Sequence, residues 1–309
     1  MHYDFCLIGA KDTTVTMAKH VIEHIGKPDC IITIDADRVN TENISGFAPI
    51  DQVAEQAGIH LFKAKEYSLK DAESMAFFSQ NTFSIAVCMG WQRLIPQYVL
   101  ERFPAGIFGF HGSCGYLPYG RGRSPLNWSI INGDTRFILN LFRYDEKADS
   151  PNVFANRMFQ INPFDTIRTL QLKNLLCSFT LVEELMAAYK TGNIQIHTQS
   201  QDFDSLYPKR GPADGKIDFT KKTREIYNLV RGVTKPFPGA FAFINGEEGK
   251  KVTVWEAVPF DEVLDFSRYC AGQVAAVLDG MPIVRTVDGS ILIKRYQGDV
   301  DICPGDILR

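Results

Sequence analysis

Four runs in the first 112 residues are apolar almost without interruption: YDFCLIG (3–9), CIITID (30–35), FSIAVCMG (83–90) and GIFGFHG (106–112). A strand with one wetted face alternates polar and apolar residues, whereas runs like these suit strands buried on both faces, as in a parallel sheet. Between them lie segments of helical spacing, TTVTMAKHVIEHIG (13–26), DQVAEQAG (51–58) and SLKDAESMAFFSQN (68–81), the last read as opening on a serine cap. IHLFKA (59–64) reads as a further short strand. Strands parted by helices imply βαβ units and an α/β fold, Rossmann-like, with a mostly parallel sheet covered on both faces.

The second half has a different texture. FDTIRTLQLKNLLCSFTLVEELMAAYKTGN (164–193) carries one long amphipathic helix pattern, and HTQSQDFDSLYPKRGPADG (197–215) reads as a polar linker. A short helix over 221–233 and a PFPG turn follow. Then come the runs AFAFI, KVTVWEA, GQVAAVL, PIVRTV and SILIKRY, parted by Asn-Gly and Asp-Gly turns. Short strands with such turns predict a smaller C-terminal antiparallel domain, barrel-like. The expected division is a Rossmann-like catalytic domain over 1–204 and a β-rich domain over 205–309.

Composition removes several functional classes. A net charge of −3 gives no global attraction to nucleic acid. The 7 cysteines form no CxxC pair, so neither a zinc site nor a disulfide framework is expected, and no metal. The amino terminus, MHYDFCLIGAKD, reads straight into a strand, and no apolar run is long enough to cross a bilayer. A cytoplasmic chain with no membrane partner is expected. GAKDTT after the first strand is not the GxGxxG of a dinucleotide site, and RGRSP (121–125) lacks the ending of a Walker loop.

Ligands of parallel sheets bind beyond the carboxyl ends of the strands. Met89-Gly90-Trp91 and His111-Gly112-Ser113 both fall at such ends, so two loops are expected to converge on one crevice. Taken alone, His111 suits either a structural or a functional role. Its place between glycines, followed by Arg121 and Arg123, favours proton transfer or oxyanion support on an anionic substrate. Cys114 lacks the elbow of a nucleophile.

HGSCGYLPYGRGRSPLNWSIINGD (111–134) resembles the signature of the 10-formyltetrahydrofolate-dependent formyltransferases, above all the sugar-nucleotide N-formyltransferases and methionyl-tRNA formyltransferase. His111, Pro118, Arg121-Gly122, Pro125 and Trp128 carry the match, and in KADSPNVF (147–154) Asp149 stands where the family has its catalytic aspartate. The similarity continues through 206–244 and 286–294. It implies transfer of a formyl group from 10-formyltetrahydrofolate to an amine, with His111 and Asp149 catalytic. It also implies a folate site at MGWQRLIP (89–96), with Met89, Gly90, Trp91, Arg93, Leu94 and Ile95, joined by Tyr144.

The chain departs from the family at Gly109, where an asparagine is usual two residues before the histidine. Glycine has no side-chain donor. Asn140, on the same strand face as Phe142 and Tyr144 by alternation, is expected to reach into the space and donate in its place. For the acceptor, the slightly acidic balance and the short basic clusters YPKR (207–210) and KKTR (221–224) argue against tRNA. A nucleotide-linked amino sugar is expected instead, held by Ser113, Arg121, Arg123, Tyr207, Lys209 and Arg210. Methionyl-tRNA formyl transfer stays open, as does a folate- or nucleotide-binding protein that has lost catalysis. A homodimer is compatible with either.

Overall fold

The computed structural model describes the chain except residues 41–43, 45, 146–151 and 199–204. It divides into two compact units, the first made of 1–121, 138–158 and 174–205, the second of 122–137, 159–173 and 206–309. Two segments inside the range expected for the catalytic domain therefore group with the C-terminal residues.

In the first unit, strands β1 (His2–Ile8), β2 (Cys30–Ile34), β3 (His60–Ala64), β4 (Thr82–Cys88) and β5 (Gly106–Ser113) lie parallel in the order β3-β2-β1-β4-β5. Every residue of β2 is buried, as is β4 from Ile85 onward, which is why these strands read as unbroken apolar runs. Helices α1 (Asp12–His24), α2 (Asp51–Ala57), α3 (Ala72–Gln80) and α4 (Gln97–Leu100) fall between successive strands. α2 stops at Gly58, whose φ of 63° is left-handed. The serine cap expected at 68 is not used. Leu69 has a φ of 58°, so the chain turns there, and the carboxylate of Asp71 caps α3 by accepting from Ser74 N–H at 2.9 Å.

After the short β6 (Arg121–Gly122), strands β7 (Arg136–Arg143), β8 (Asn152–Gln160) and β9 (His197–Thr198) continue the sheet as β5-β7-β8-β9. β7 runs antiparallel to β5, and β9 antiparallel to β8. The result is a mostly parallel, Rossmann-like sheet with an antiparallel edge.

The second unit contains α5 (Pro125–Ile131), the first turns of α6 (Ile167–Lys190), β10 (Leu206–Tyr207) and α7 (Thr223–Val233). Strands β11 (Ala240–Phe243), β12 (Lys251–Asp261), β13 (Val274–Leu278), β14 (Met281–Arg285) and β15 (Ser290–Gly298) form an antiparallel sheet in the order β11-β12-β15-β14-β13. Its turns use the Asn-Gly and Asp-Gly pairs. Asn245, Gly246, Asp279 and Gly280 all have positive φ, which glycine and Asn or Asp tolerate best. Ile307 bridges Gln273 and Leu308 bridges Ile244, so the last residues join both edges of the sheet and close it, as a barrel requires.

Hydrogen bonds explain why 122–137 and 159–173 belong to this unit. Asn127 of α5 donates to Gly232 O of α7 at 2.7 Å, and Gly232 lets Ile130 and Ile131 press against its backbone. Arg231 of α7 is buried; its guanidinium donates to Asn228 Oδ1 (2.9 Å), Asn162 O (3.1 Å) and Asp165 O (2.8 Å) and lies over the Tyr227 ring. A buried arginine bound to carbonyls satisfies groups that no water reaches. Arg231→Met removes that donor from two backbone carbonyls, at about 1–3 kcal/mol for each buried group left unpaired. Its melting temperature is expected to fall by several degrees. A thermal denaturation curve superimposing on that of the unchanged protein would contradict this reading of the knot.

Candidate active site

The site grows from the register of two strands. β5 and β7 pair with His111 opposite Asn140 and Gly109 opposite Phe142. Tyr144 N–H donates to Ile107 O at 2.8 Å, which continues the same register one step further. Directly opposed residues of an antiparallel pair send their side chains to one face, and alternate residues share it. Ile107, Gly109 and His111 therefore face the same way as Asn140, Phe142 and Tyr144.

His111 is held on this face by the loop that follows it. Its Nε2–H donates to Gly120 O at 2.8 Å, which fixes the ring and makes Nδ1 the nitrogen that carries the lone pair in the neutral imidazole. The loop is braced in turn by Ser113. Its hydroxyl is buried, lies 2.9 Å from Gly115 O and 2.8 Å from Tyr119 O, and accepts from Gly115 N–H at 3.2 Å. Gly120 N–H and Arg121 N–H are anchored to Ser205, at 2.8 and 3.0 Å. Ser113, expected as a substrate ligand, lies in the turn that positions His111 and braces it.

Asn140 shares the face of His111 as the alternation predicts, but its chemistry differs from expectation. It is fully buried, and its Nδ2 donates to the backbone carbonyls of His111 (3.2 Å) and Ile138 (3.4 Å). Both partners are acceptors, so the donor end of the amide is committed to the strand pair. Among the described residues Oδ1 has no hydrogen-bond partner. What Asn140 presents is an acceptor.

The space that Gly109 leaves belongs to Tyr144. A Cβ built at Gly109 would overlap Oη, Cζ and Cε1 of the Tyr144 ring. The phenol thus crosses from the end of β7 to lie on the Gly109 backbone, packed beside Phe142, Leu117 and Val153. Its hydroxyl is also a hydrogen-bond neighbour of the Cys88 thiol, which burial pushes up to about 12 despite that contact. Cys88 itself lies opposite Gly109 in the β4–β5 pairing.

The 89–95 loop divides its side chains between core and solvent. Met89, Trp91 and Ile95 are buried, and Trp91 meets Tyr67 edge-on at 4.4 Å. Gly90 has a φ of 78° and packs so closely on Thr13 and Thr14 that a side chain would not fit. Leu94 is 65% exposed, and the Arg93 guanidinium lies over the Tyr67 ring. A cavity of about 520 Å³ is lined among others by Gln97, Glu101, Arg143, Tyr144, Asp145 and Asn152. Of the residues expected at the folate, Tyr144 alone is among those lining it. The others were legible in part: QYVLER (97–102) spaces Gln97, Leu100 and Glu101 along one helical face. Asp149 lies outside the described residues.

In the second unit the expected acceptor residues form a small stack. The Trp128 and Tyr207 rings are near-parallel, with centroids 6.2 Å apart, and the Arg210 guanidinium lies 5.2 Å from the Trp128 centroid. Trp128 Nε1–H donates to Pro208 O at 3.0 Å, and Arg210 donates to Asp214 O at 3.0 Å. Tyr207 and Arg210 thus hold their own segment against Trp128, while Lys209 and Arg123 are exposed. Among the described residues no cluster of acidic, histidine and cysteine side chains could hold a metal ion, and no helix is long and apolar enough to cross a membrane.

Comparison with known proteins places this geometry. The formyl transferase family model matches residues 13–175, and the formyl transferase C-terminal domain model matches 210–301. HypX from Aquifex aeolicus shares the fold at 17% identity and a TM-score of 0.65 over 97% of this chain and 46% of its own. The chain therefore spans less than half the length of that protein. An N-formyltransferase from Helicobacter canadensis, solved with folinic acid and dTDP-3-aminofucose, is 18% identical over 95% of this chain and 99% of its own, with a TM-score of 0.67. The sugar 3N-formyl transferase WlaRD, solved with dTDP and 5-N-formyl-THF, is 17% identical over 97% and 98%, also with a TM-score of 0.67. At such identities the likeness is one of fold. The first family model spans more than half of the sequence and the second follows it in order; the chain belongs to the formyl transferase family.

Proposed function

We propose that this formyltransferase moves the formyl group of 10-formyltetrahydrofolate to the amine of a nucleotide-linked amino sugar. The observation that carries the reading is end-to-end likeness: the Helicobacter canadensis enzyme and WlaRD, both crystallised with a folate and a dTDP compound, are each matched over nearly their whole length. The chain also retains a buried His111 on the strand face that it shares with Tyr144, and Tyr144 lines a cavity. A pterin presents amino and N–H donors along one edge. Glu101, Asp145, Gln97 and Asn152 on the cavity wall are the complementary groups for it.

In this reading the amine nitrogen attacks the formyl carbon and the carbonyl electrons move to oxygen. His111 takes the amine's proton as general base. The tetrahedral intermediate collapses, the bond from carbon to folate N10 breaks, and N10 regains the proton. The products are the formamide and tetrahydrofolate. Asp149 serves to favour the imidazolium that His111 becomes, by its negative charge, and Arg121 serves the phosphates of the acceptor, for which a guanidinium fork is suited.

Turnover of 10-formyltetrahydrofolate against a panel of dTDP-, UDP- and GDP-linked amino sugars tests the reading. Formylation of at least one of them is expected, with no activity on charged initiator tRNA. Efficient formylation of the tRNA alone would overturn the sugar assignment, and folate binding without any turnover would favour a protein that has lost catalysis. His111→Asn is expected to lower the rate by about 100- to 10,000-fold, the usual weight of a general acid–base group. Normal turnover in that variant would remove His111 from the mechanism.

A further inference from the structure

We propose that the hydroxyl of Tyr144 is the hydrogen-bond donor to the formyl oxygen, doing from the neighbouring strand what no side chain at Gly109 can do. The inference rests on the formyl-transfer reading above and adds a residue to it.

Three observations converge. First, Tyr144 and His111 lie on one face of the β5–β7 pair by register. The phenol ends on Gly109, two residues from His111 and so about 7 Å from it along the strand. A phenolic hydroxyl and an imidazole at that spacing can flank one planar formyl group. Second, Tyr144 lines the cavity, so the same side chain touches both the candidate folate pocket and the strand that carries the histidine. Third, the other candidate is committed: Asn140 uses its Nδ2 on the carbonyls of His111 and Ile138.

The surroundings suit a donor. Cys88 is buried and its thiol stays protonated, so no thiolate competes for the phenolic proton. The phenolic O–H that faces the Cys88 sulfur can turn to an arriving formyl oxygen, since a thiol sulfur is only a weak acceptor. When the amine adds to the formyl carbon, the carbonyl pair becomes an oxyanion. The bond from Tyr144 O–H to that oxygen then strengthens, because hydrogen bonds to charged acceptors are roughly twice as strong as neutral ones. The proton stays on Tyr144; the proton that moves is the amine's, by way of His111 to N10. The gain is realised in the transition state, where it accelerates the reaction.

The geometry also makes Gly109 obligatory here. Any side chain at 109 would overlap the Tyr144 ring, so the glycine and the tyrosine form a matched pair. The glycine creates the volume, and the tyrosine fills it with the polar atom.

The test is Tyr144→Phe, which keeps the ring on Gly109 and deletes one oxygen. With 10-formyltetrahydrofolate and dTDP-3-aminofucose or whichever sugar of the panel is accepted, kcat is expected to fall by about 100- to 1,000-fold. Calorimetric binding of 5-formyltetrahydrofolate and the melting temperature should stay as in the unchanged protein. A tyrosine analogue of the same shape at 144, 3,5-difluorotyrosine, has a more acidic phenol. It is expected to move the alkaline limb of the pH–rate profile to lower pH, which a packing role would not do. Full turnover by the phenylalanine variant overturns the role of Tyr144 and leaves the formyl-transfer reading standing. Loss of turnover together with folate binding also overturns it, since the ring then acts as packing. Absence of formyl transfer from the unchanged protein overturns both.

Discussion

The antiparallel pairing of β7 with β5 is the constraint on which the site depends. In the parallel part of the sheet each strand is separated from its neighbour in sequence by a helix. At β5 the pattern changes, and the register that results sets His111 against Asn140 and Gly109 against Phe142. A slip of one residue between the two strands would put His111 and Tyr144 on opposite sides of the sheet. Asn140 resists such a slip directly: its amide ties His111 O to its own strand inside a fully buried environment, where leaving a donor unpaired is costly. Asn140, expected to donate to substrate, thus also ties the two strands together in this register.

The same face shows how chemistry is distributed when one side chain is missing. A strand offers one side chain per position, and glycine offers none. The neighbouring strand can supply an atom to that place only if its own side chain is long, flat and free of bulk at the crossing point. Tyrosine meets these conditions. Its ring lies on the glycine backbone, and its single polar atom sits at the far end, against Gly109 and Cys88. On the other side of His111, the turn over 113–120 is braced by Ser113, so the imidazole is held through Gly120 O by an already ordered loop. Preorganisation of this kind lets donors act without reorganising as charge develops.

How much of this could be read beforehand follows from which interactions are local. Burial on both faces leaves unbroken apolar runs such as CIITID and FSIAVCMG, and β2 and β4 lie where those runs are. The Asn-Gly and Asp-Gly turns of the second unit were legible for the same reason, since Asn245-Gly246 and Asp279-Gly280 carry their conformation in their own chemistry. Alternation also put Asn140 and Tyr144 on one face. What alternation could not give is distance. Nothing in the local sequence says that Tyr144 reaches Gly109 thirty-five residues earlier, or that the Asn140 amide meets a carbonyl of the facing strand. The grouping of 122–137 and 159–173 with the second unit was hidden likewise, because it rests on Asn127 and Arg231 reaching distant backbone carbonyls.

A crystal structure of the protein with a stable N10-formyl folate analogue, 10-formyl-5,8-dideazafolate, tests the central claim most directly. The account predicts its pterin-like ring in the cavity beside Glu101 and Asp145, with the formyl group lying between His111 and Tyr144. The formyl oxygen should fall within hydrogen-bonding distance of Tyr144 Oη, roughly 2.5–3.0 Å for an O–H···O bond. A folate bound in that cavity with its formyl oxygen turned away from Tyr144, or a folate bound away from the β5–β7 face altogether, would contradict it.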